Sequence, residues 1–422
     1  MSTKLIEEVL SPSNLELAKK RVIANKGSCG VDGMKIEELD EYLKEHQDEI
    51  VSKVLVRKYN PLPVKRVQIP KGDGTKRNLG IPSVKDRWLQ QAIYQKVSPI
   101  AEEMFSNSSY GFRPGRRCED AIVKALEYLN DGYDWLVDMD LSKFFDNVNQ
   151  DILMVLVHNV VHDPDTESII RKYLQSGVMI DGTFEKTRVG TPQGGNLSPL
   201  LANIYLHEFD MELEARGLRF TRYADDVMIY VKSEVAANRI MASVTRWLRN
   251  HLKVEVNATK TKVCRPNDVK YLGFSFYRNV KGMWRPKPHL KSITKLKNKL
   301  HDETIRSKSN SIDYRISRIN PIIRGWINYF RICDMKKWMC KLDSYLRKRI
   351  RICIWKQWKV PKHREWALTK LGMVKWRAHE LAYSRKGIYA CSIATNSVIT
   401  NGTLKKKGLL SLVDHYNLVH VL

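Results

Sequence analysis

Hydrophobic and polar positions along the chain change period several times, and those changes mark its elements. Between residues 4 and 24 the apolar positions recur at helical spacing, with Ser11 or Ser13 as the cap between two short helices. Pro61–Asn78 reads as a β-hairpin, two runs around a Lys-Gly-Asp-Gly turn. Helices are predicted from Pro82 to about Ser98, over 151–162, over Leu200–Leu213 and over Ala236–Leu252, with Val254–Lys262 as a strand and turn. Trp135–Asp140 alternates strictly: Leu136, Asp138 and Asp140 share one face, and Trp135, Val137 and Met139 the other. Runs rich in β-branched and aromatic residues flank Ala224-Asp225-Asp226, which is too short for anything but a tight hairpin. Farther on, Ile319, Ile322, Ile323, Trp326 and Phe330 form one helical face and Arg324, Asn328 and Arg331 another. A last long helix, 334–358, buries Leu342, Tyr345, Leu346 and Ile350 while offering Arg347, Lys348 and Arg351.

Charge changes this picture most. The 422 residues carry a formal charge of +26. Through Tyr277 there are 39 basic and 38 acidic residues, which leaves 33 and 8 for the remainder. Nearly all the excess therefore lies in the last third, as expected of a surface that grips nucleic acid. The seven cysteines, at 29, 118, 264, 333, 340, 353 and 391, form no Cys-x-x-Cys pair, so neither a zinc ribbon nor a disulfide framework is indicated. The N-terminus lacks a signal-peptide core and no apolar run is long enough for a bilayer, which predicts a soluble, cytoplasmic protein without a membrane partner.

Candidate chemistry rests on carboxylates. Asp225 and Asp226 would sit side by side at a hairpin tip, and alone they read better as a solvated turn than as a metal site. The Trp135–Asp146 stretch supplies a second strand that ends in acids, and a Gly/Pro-rich turn, Gly190–Pro199, lies between the two in sequence. Carboxylates from two separated strands suit a two-metal site with ions roughly 3.5–4 Å apart. Mg²⁺ fits because it takes a few carboxylates and lets substrate phosphates complete its shell, with Mn²⁺ a possible substitute. The glycines of Asn25–Gly33 match neither a dinucleotide fingerprint nor a P-loop. His158 and His162 stand four apart without a third ligand, and no arrangement for covalent catalysis is present.

The Tyr223-Ala-Asp-Asp226 hairpin, the Asp140 to Phe145 strand end and the Pro192-Gln-Gly194 turn, in this order, resemble the palm of a reverse transcriptase. With Tyr110-Gly-Phe-Arg-Pro114 and Ile322–Phe330, the chain resembles bacterial group II intron-encoded reverse transcriptases with maturase activity, from about residue 10 onward. The resemblance implies an α+β right-hand polymerase: fingers and an antiparallel palm over 1–277, a helical thumb over 278–360 and a small basic DNA-binding segment over 361–422. It implies Asp140, Asp225 and Asp226 as catalytic residues, and these with Leu141 as holders of two Mg²⁺. The incoming dNTP would meet Lys71 and Arg77 of the finger hairpin, Gln193 in the pocket wall, Phe145 beneath its sugar and Lys260 near its phosphates. Arg113 would touch the template backbone, and Tyr271-Leu-Gly-Phe274 resembles the primer-grip turn. The partners implied are an RNA template, group II intron RNA above all, and a DNA primer or target.

No Cys and His cluster stands near the C-terminus, which resembles the short lineage without an endonuclease. The expected function is RNA-directed DNA synthesis together with assistance to splicing and retrohoming. Two alternatives are a domesticated relative and an RNA-binding splicing cofactor in which polymerisation is incidental. A pure binder, however, has no need of three such carboxylates.

Overall fold

The computed structural model describes residues 4–421 except 71–73, 75 and 193. The chain divides into two compact units, Met1–Arg265 and Pro266–Leu422. The shift in charge suggests a change at 277/278, and the family resemblance implies a further one at 360/361. Charge marks a surface, whereas the first division in the backbone falls at the entry to a hairpin that belongs with the later helices.

The first unit is α+β. Its first sheet holds β1 (Val64–Pro70), β2 (Lys76–Ile81), β4 (Val178–Ile180) and β5 (Thr183–Glu185) in the order β2-β1-β4-β5. Its second holds β3 (Trp135–Asp140), β6 (Arg219–Tyr223), β7 (Asp226–Val231) and β8 (Lys262–Cys264) in the order β6-β7-β3-β8, every pairing antiparallel. The strand β7 is central, and Val227 through Val231 are all buried, which is why it reads as a continuous apolar run. The Ser198–Ala215 helix is apolar almost all round and lies in the core, with Leu200, Ile204, Tyr205, Leu206 and Phe209 each at most 3% exposed. Buried Asp86 accepts from Tyr59 Oη at 2.7 Å, Ser83 Oγ at 2.6 Å and the Leu62 amide at 3.1 Å, which fixes the chain entering β1.

The predicted strand after residue 254 is reduced to an isolated pairing of Val256 with Leu141, followed by a turn and the short β8. The Asn257 side chain accepts from the Thr259 amide and hydroxyl, so local turn chemistry wins over extension.

The second unit opens with a hairpin of β9 (Phe274–Arg278) and β10 (Trp284–Pro288) and continues as helices. In the helix Ile312–Tyr329 the buried stripe is Ile316, Ile319, Ile323 and Ile327, with Ile322 and Trp326 at its edge. The long helix Lys336–Gln357 buries Leu342, Leu346 and Ile350 as expected. Asp343 on it accepts from the Leu412 amide at 3.1 Å, which anchors the last helix, Leu412–Val419. Arg351 corrects the sequence reading: it is buried, donating to the Ile399 carbonyl and to Asn401 rather than lying on an open face. No helix among the described residues is long and apolar enough to cross a membrane.

Candidate active site

The site is built from the turn between β6 and β7. Tyr223 pairs with Asp226, which leaves Ala224 and Asp225 as the loop. Ala224 has φ of 58°, a left-handed conformation that costs a residue with a Cβ about 1–3 kcal/mol unless its surroundings impose it. Two features impose it. Gly111 lies against the turn so closely that a Cβ there would stand 2.2 Å from the Ala224 nitrogen. Beneath it, the fully buried Arg222 donates to both Asp210 oxygens at 2.7 and 2.5 Å, to Asn203 Oδ1 at 2.9 Å and to the Ala224 carbonyl at 3.1 Å. The Arg222 backbone in turn bonds to Ser108 and Tyr110, so the hairpin is fastened on both sides.

Register then brings the acids together. In the β3–β7 pairing Asp140 stands opposite Asp226. Lys260 Nζ lies 3.1 Å from Asp140 Oδ2, and the Asp140 amide donates to Thr261 Oγ1 at 3.1 Å. The Asp140 carbonyl accepts from the Asn257 amide and the Ser142 amide donates to the Glu255 carbonyl, so the Leu141 carbonyl between them takes no part in that ladder.

Desolvation raises the Asp225 carboxyl, and the Asp140 charge adds to this while Arg77 and Lys260 oppose it. Asp226 is pushed up to about 7, by desolvation and then by Asp225, Asp138 and Asp140. Asp226 is exposed to solvent, so the repulsion from its neighbouring carboxylates is the cause that stands. Asp138, one pleat back on the same face as Asp140, is pushed up to about 6 by desolvation, with Lys262 opposing.

Crowded carboxylates that resist ionising together are the donor set a divalent cation relieves. Among the described residues no three acidic, His or Cys side chains close around a common point, and Asp140 is turned to Lys260 instead. The donor chemistry fits the metal once Lys260 lets go of Asp140.

A cleft of about 330 Å³ adjoins the strand end, lined by Arg66, Asn78 and Gly80 of the finger hairpin, by Lys143, Phe145 and Asp146, and by Gly190, Thr191 and Pro192. The Thr191 amide donates to the Phe145 carbonyl at 2.7 Å, which seats the Gly/Pro turn on the strand end. At Gly194 a Cβ would stand 2.4 Å from the Gly80 carbonyl, so the turn and the finger hairpin touch through backbone. Phe145 lines the cleft, whereas Phe144 is 2% exposed and packs on Phe145 and Tyr205. Arg77 is exposed and close enough to bear on Asp225. Lys71 and Gln193 lie outside the described residues.

Arg113 departs from its expected role. It is buried, with its guanidinium on Glu102 and on the Ser106 and Ser109 carbonyls, so it braces the segment before Gly111 instead of meeting a template. His158 pairs with Glu167, which agrees with its reading as a surface residue. The bracing set of Arg222, Asp210 and Asn203 went unread, because Arg222 shares its short strand with Arg219 and Asp210 shares its helix with Glu208, Glu212 and Glu214.

The reverse transcriptase (RNA-dependent DNA polymerase) family matches residues 69–276, and the group II intron maturase-specific domain matches residues 293–372. Protein YkfC of Escherichia coli (strain K12) is 32% identical over 313 residues, 65% of this chain and 81% of that protein. Group II intron-encoded protein LtrA of Lactococcus lactis subsp. cremoris is 35% identical over 221 residues, 52% of this chain and 37% of LtrA. A 91 kDa protein in the cob intron of Schizosaccharomyces pombe is 33% identical over 247 residues, 56% of this chain and 30% of that protein. Among solved structures, a chain of a partial Cas6-RT-Cas1–Cas2 complex aligns with 59% of this chain and 43% of its own at a TM-score of 0.39 and 24% identity, too loosely to carry an argument. The two matched families imply an RNA-directed DNA polymerase that depends on a divalent metal and binds RNA and DNA. With polymerase and maturase families matched in tandem and a relative matched over 81% of its length, the chain belongs to the reverse transcriptases that carry the group II intron maturase-specific domain.

Proposed function

We propose that the protein copies RNA into DNA at the cleft beside Asp140, Asp225 and Asp226, and that group II intron RNA is its natural template and splicing partner. One observation carries this reading: Asp140 and Asp226 stand in register, with Asp225 in the adjoining turn and the cations Arg77 and Lys260 bearing on the group. Asp140, Asp225 and Asp226, with the Leu141 carbonyl, would hold two Mg²⁺, whose charge neutralises the triphosphate and favours ionisation of the primer hydroxyl.

The chain's own residues position and discriminate. Arg77, with Lys71 on the same hairpin, meets the triphosphate by charge-assisted hydrogen bonds. The primer 3′ oxygen forms its bond to the α-phosphorus as the bond to pyrophosphate breaks, and the hydroxyl proton leaves to solvent. Lys260, released from Asp140, gives a proton to the departing pyrophosphate. Phe145 closes the sugar side of the cleft against a 2′-hydroxyl. The division into fingers and palm, a thumb over 278–360 and a DNA-binding segment over 361–422 follows the basic last third, whose +25 excess suits a duplex grip.

The test is extension of a DNA primer on an RNA template with dNTPs and Mg²⁺, run beside self-splicing of a group II intron at low Mg²⁺ with and without the protein. Extension together with accelerated splicing is expected. Splicing without extension would favour the pure cofactor.

A further inference from the structure

Within the second unit, a cavity of about 550 Å³ lies between the helix Lys336–Gln357 and the segment 392–401. Three cations of one helix face, Arg347, Lys348 and Arg351, line it, and no carboxylate does so among the described residues. Their existing partners are few. Arg347 pairs with Asp343 at 2.5 Å, Arg351 donates to the Ile399 carbonyl at 2.7 Å and to Asn401 Oδ1 at 3.0 Å, and Lys348 reaches the Tyr389 hydroxyl. One carboxylate thus faces three positive charges, and Arg347 and Arg351 repel each other across a partly dry wall.

The rest of the lining is chemically different. Ile393 is 45% exposed, and outside the lining the Tyr389 ring carries Lys348 Nζ 3.7 Å from its centroid. Asn396 adds an amide that both donates and accepts. The volume exceeds what an inorganic phosphate needs and lies within the range of small-ligand sites.

We propose that this cavity takes one nucleotide unit, its phosphate held by Arg347, Lys348 and Arg351 and its base laid on Ile393 with its edge toward Asn396. Phosphate meets the guanidiniums by charge-assisted hydrogen bonds, and the exposed apolar face of Ile393 takes the flat face of an unpaired base. The same chemistry describes a nucleotide flipped out of a bound strand and a free mononucleotide. The proposal rests on the reading of this unit as a nucleic-acid grip, and it adds a discrete pocket to that reading.

Binding of a labelled 12-nucleotide single-stranded RNA is measured across a salt series for the full-length protein, Lys348→Glu, Asn396→Trp and Ser344→Trp. The two tryptophans fill the cavity from different walls without changing charge, so a folding failure of one leaves the other as a test. Each variant is expected to weaken binding at least about fivefold, and the slope of log K against log salt should fall by roughly 0.7, one single-strand phosphate contact. AMP as competitor separates the sources: displacement of the RNA assigns the pocket to a free nucleotide, and failure to displace it assigns the pocket to a strand. Wild-type affinity and slope in both tryptophan variants would overturn the proposal, even if Lys348→Glu weakened binding, because the lysine would then act only through the general field. Primer extension by the wild-type protein, run in parallel, keeps the two readings apart. Intact extension with unaffected tryptophan variants removes the pocket alone, whereas no extension at all removes the polymerase reading.

Discussion

Arg222→Met tests how the catalytic turn is held. The substitution keeps the volume of an unbranched side chain but removes four hydrogen bonds and leaves the fully buried Asp210 facing nothing. Burial already pushes the Asp210 carboxyl up with Arg222 beside it, and without the guanidinium only the weaker pull of His207 opposes that push. Breaking one side of a buried ion pair costs about 3–5 kcal/mol. In a unit of this size each kcal/mol lowers Tm by roughly 2–4 °C, so the melting of the first unit should fall by roughly 6–20 °C. Arg222→Met/Asp210→Leu removes both charges, and such replacements of buried pairs are roughly neutral, so most of the lost Tm should return. The bond to the Ala224 carbonyl does not return. Ala224 is then free to leave its left-handed conformation, worth about 1–3 kcal/mol, and Asp225 moves with it. If that much is lost at the transition state, extension slows roughly 5- to 160-fold. Calorimetry of both variants and single-turnover extension at saturating template separate the two effects. A double variant that melts and extends like wild type would refute the bracing argument, and a single variant with unchanged Tm would refute its energetics.

Three further outcomes are expected. Phe145→Ala should raise ribonucleotide over deoxynucleotide incorporation at least about tenfold, roughly 1.4 kcal/mol, whereas Phe144→Ala should instead lose about 3–5 kcal/mol of stability. Competition of each ribonucleotide against its deoxynucleotide reads this, and discrimination lost in Phe144→Ala but kept in Phe145→Ala would mean the strand end is misread by one residue. Lys260→Ala should slow single-turnover extension at least about tenfold while template affinity stays within a few-fold, and an unchanged rate would remove its proton-donor role. Burial holds the His207 imidazole below its usual 6.5, so the stability it contributes is present above about pH 6.5 and lost as pH falls below it. His207→Gln should therefore flatten the drop in Tm between about pH 7.5 and 5.5, and parallel curves for variant and wild type would refute that assignment.

Much of the fold was legible because its period was unambiguous. The alternation in Trp135–Asp140 and the apolar run Val227–Val231 set two strands whose register places Asp140 opposite Asp226. The basic excess of the last third was equally plain, yet it could not locate the unit boundary, since charge records the surface and not the contacts beneath it. What stayed hidden depends on partners far along the chain. Arg222 finds Asp210 on a helix and Ser108 and Tyr110 on a loop, and nothing local says that they meet. Arg113 and Arg351 looked like free cations because their acceptors are largely backbone carbonyls, which no residue type advertises. Val254–Lys262 had strand composition, but Asn257 diverted it into a turn.

In the proposed function the carboxylates at the β6–β7 turn perform the chemistry while the basic surface holds the template. Asp225→Asn separates the two, because it removes a charge at the turn and leaves the nucleic-acid grip in place. Single-turnover extension of a DNA primer on RNA, with template–primer affinity measured under the same salt, should show synthesis abolished and affinity within a few-fold of wild type. Extension by Asp225→Asn at near wild-type rate would contradict the claim and move the active site elsewhere.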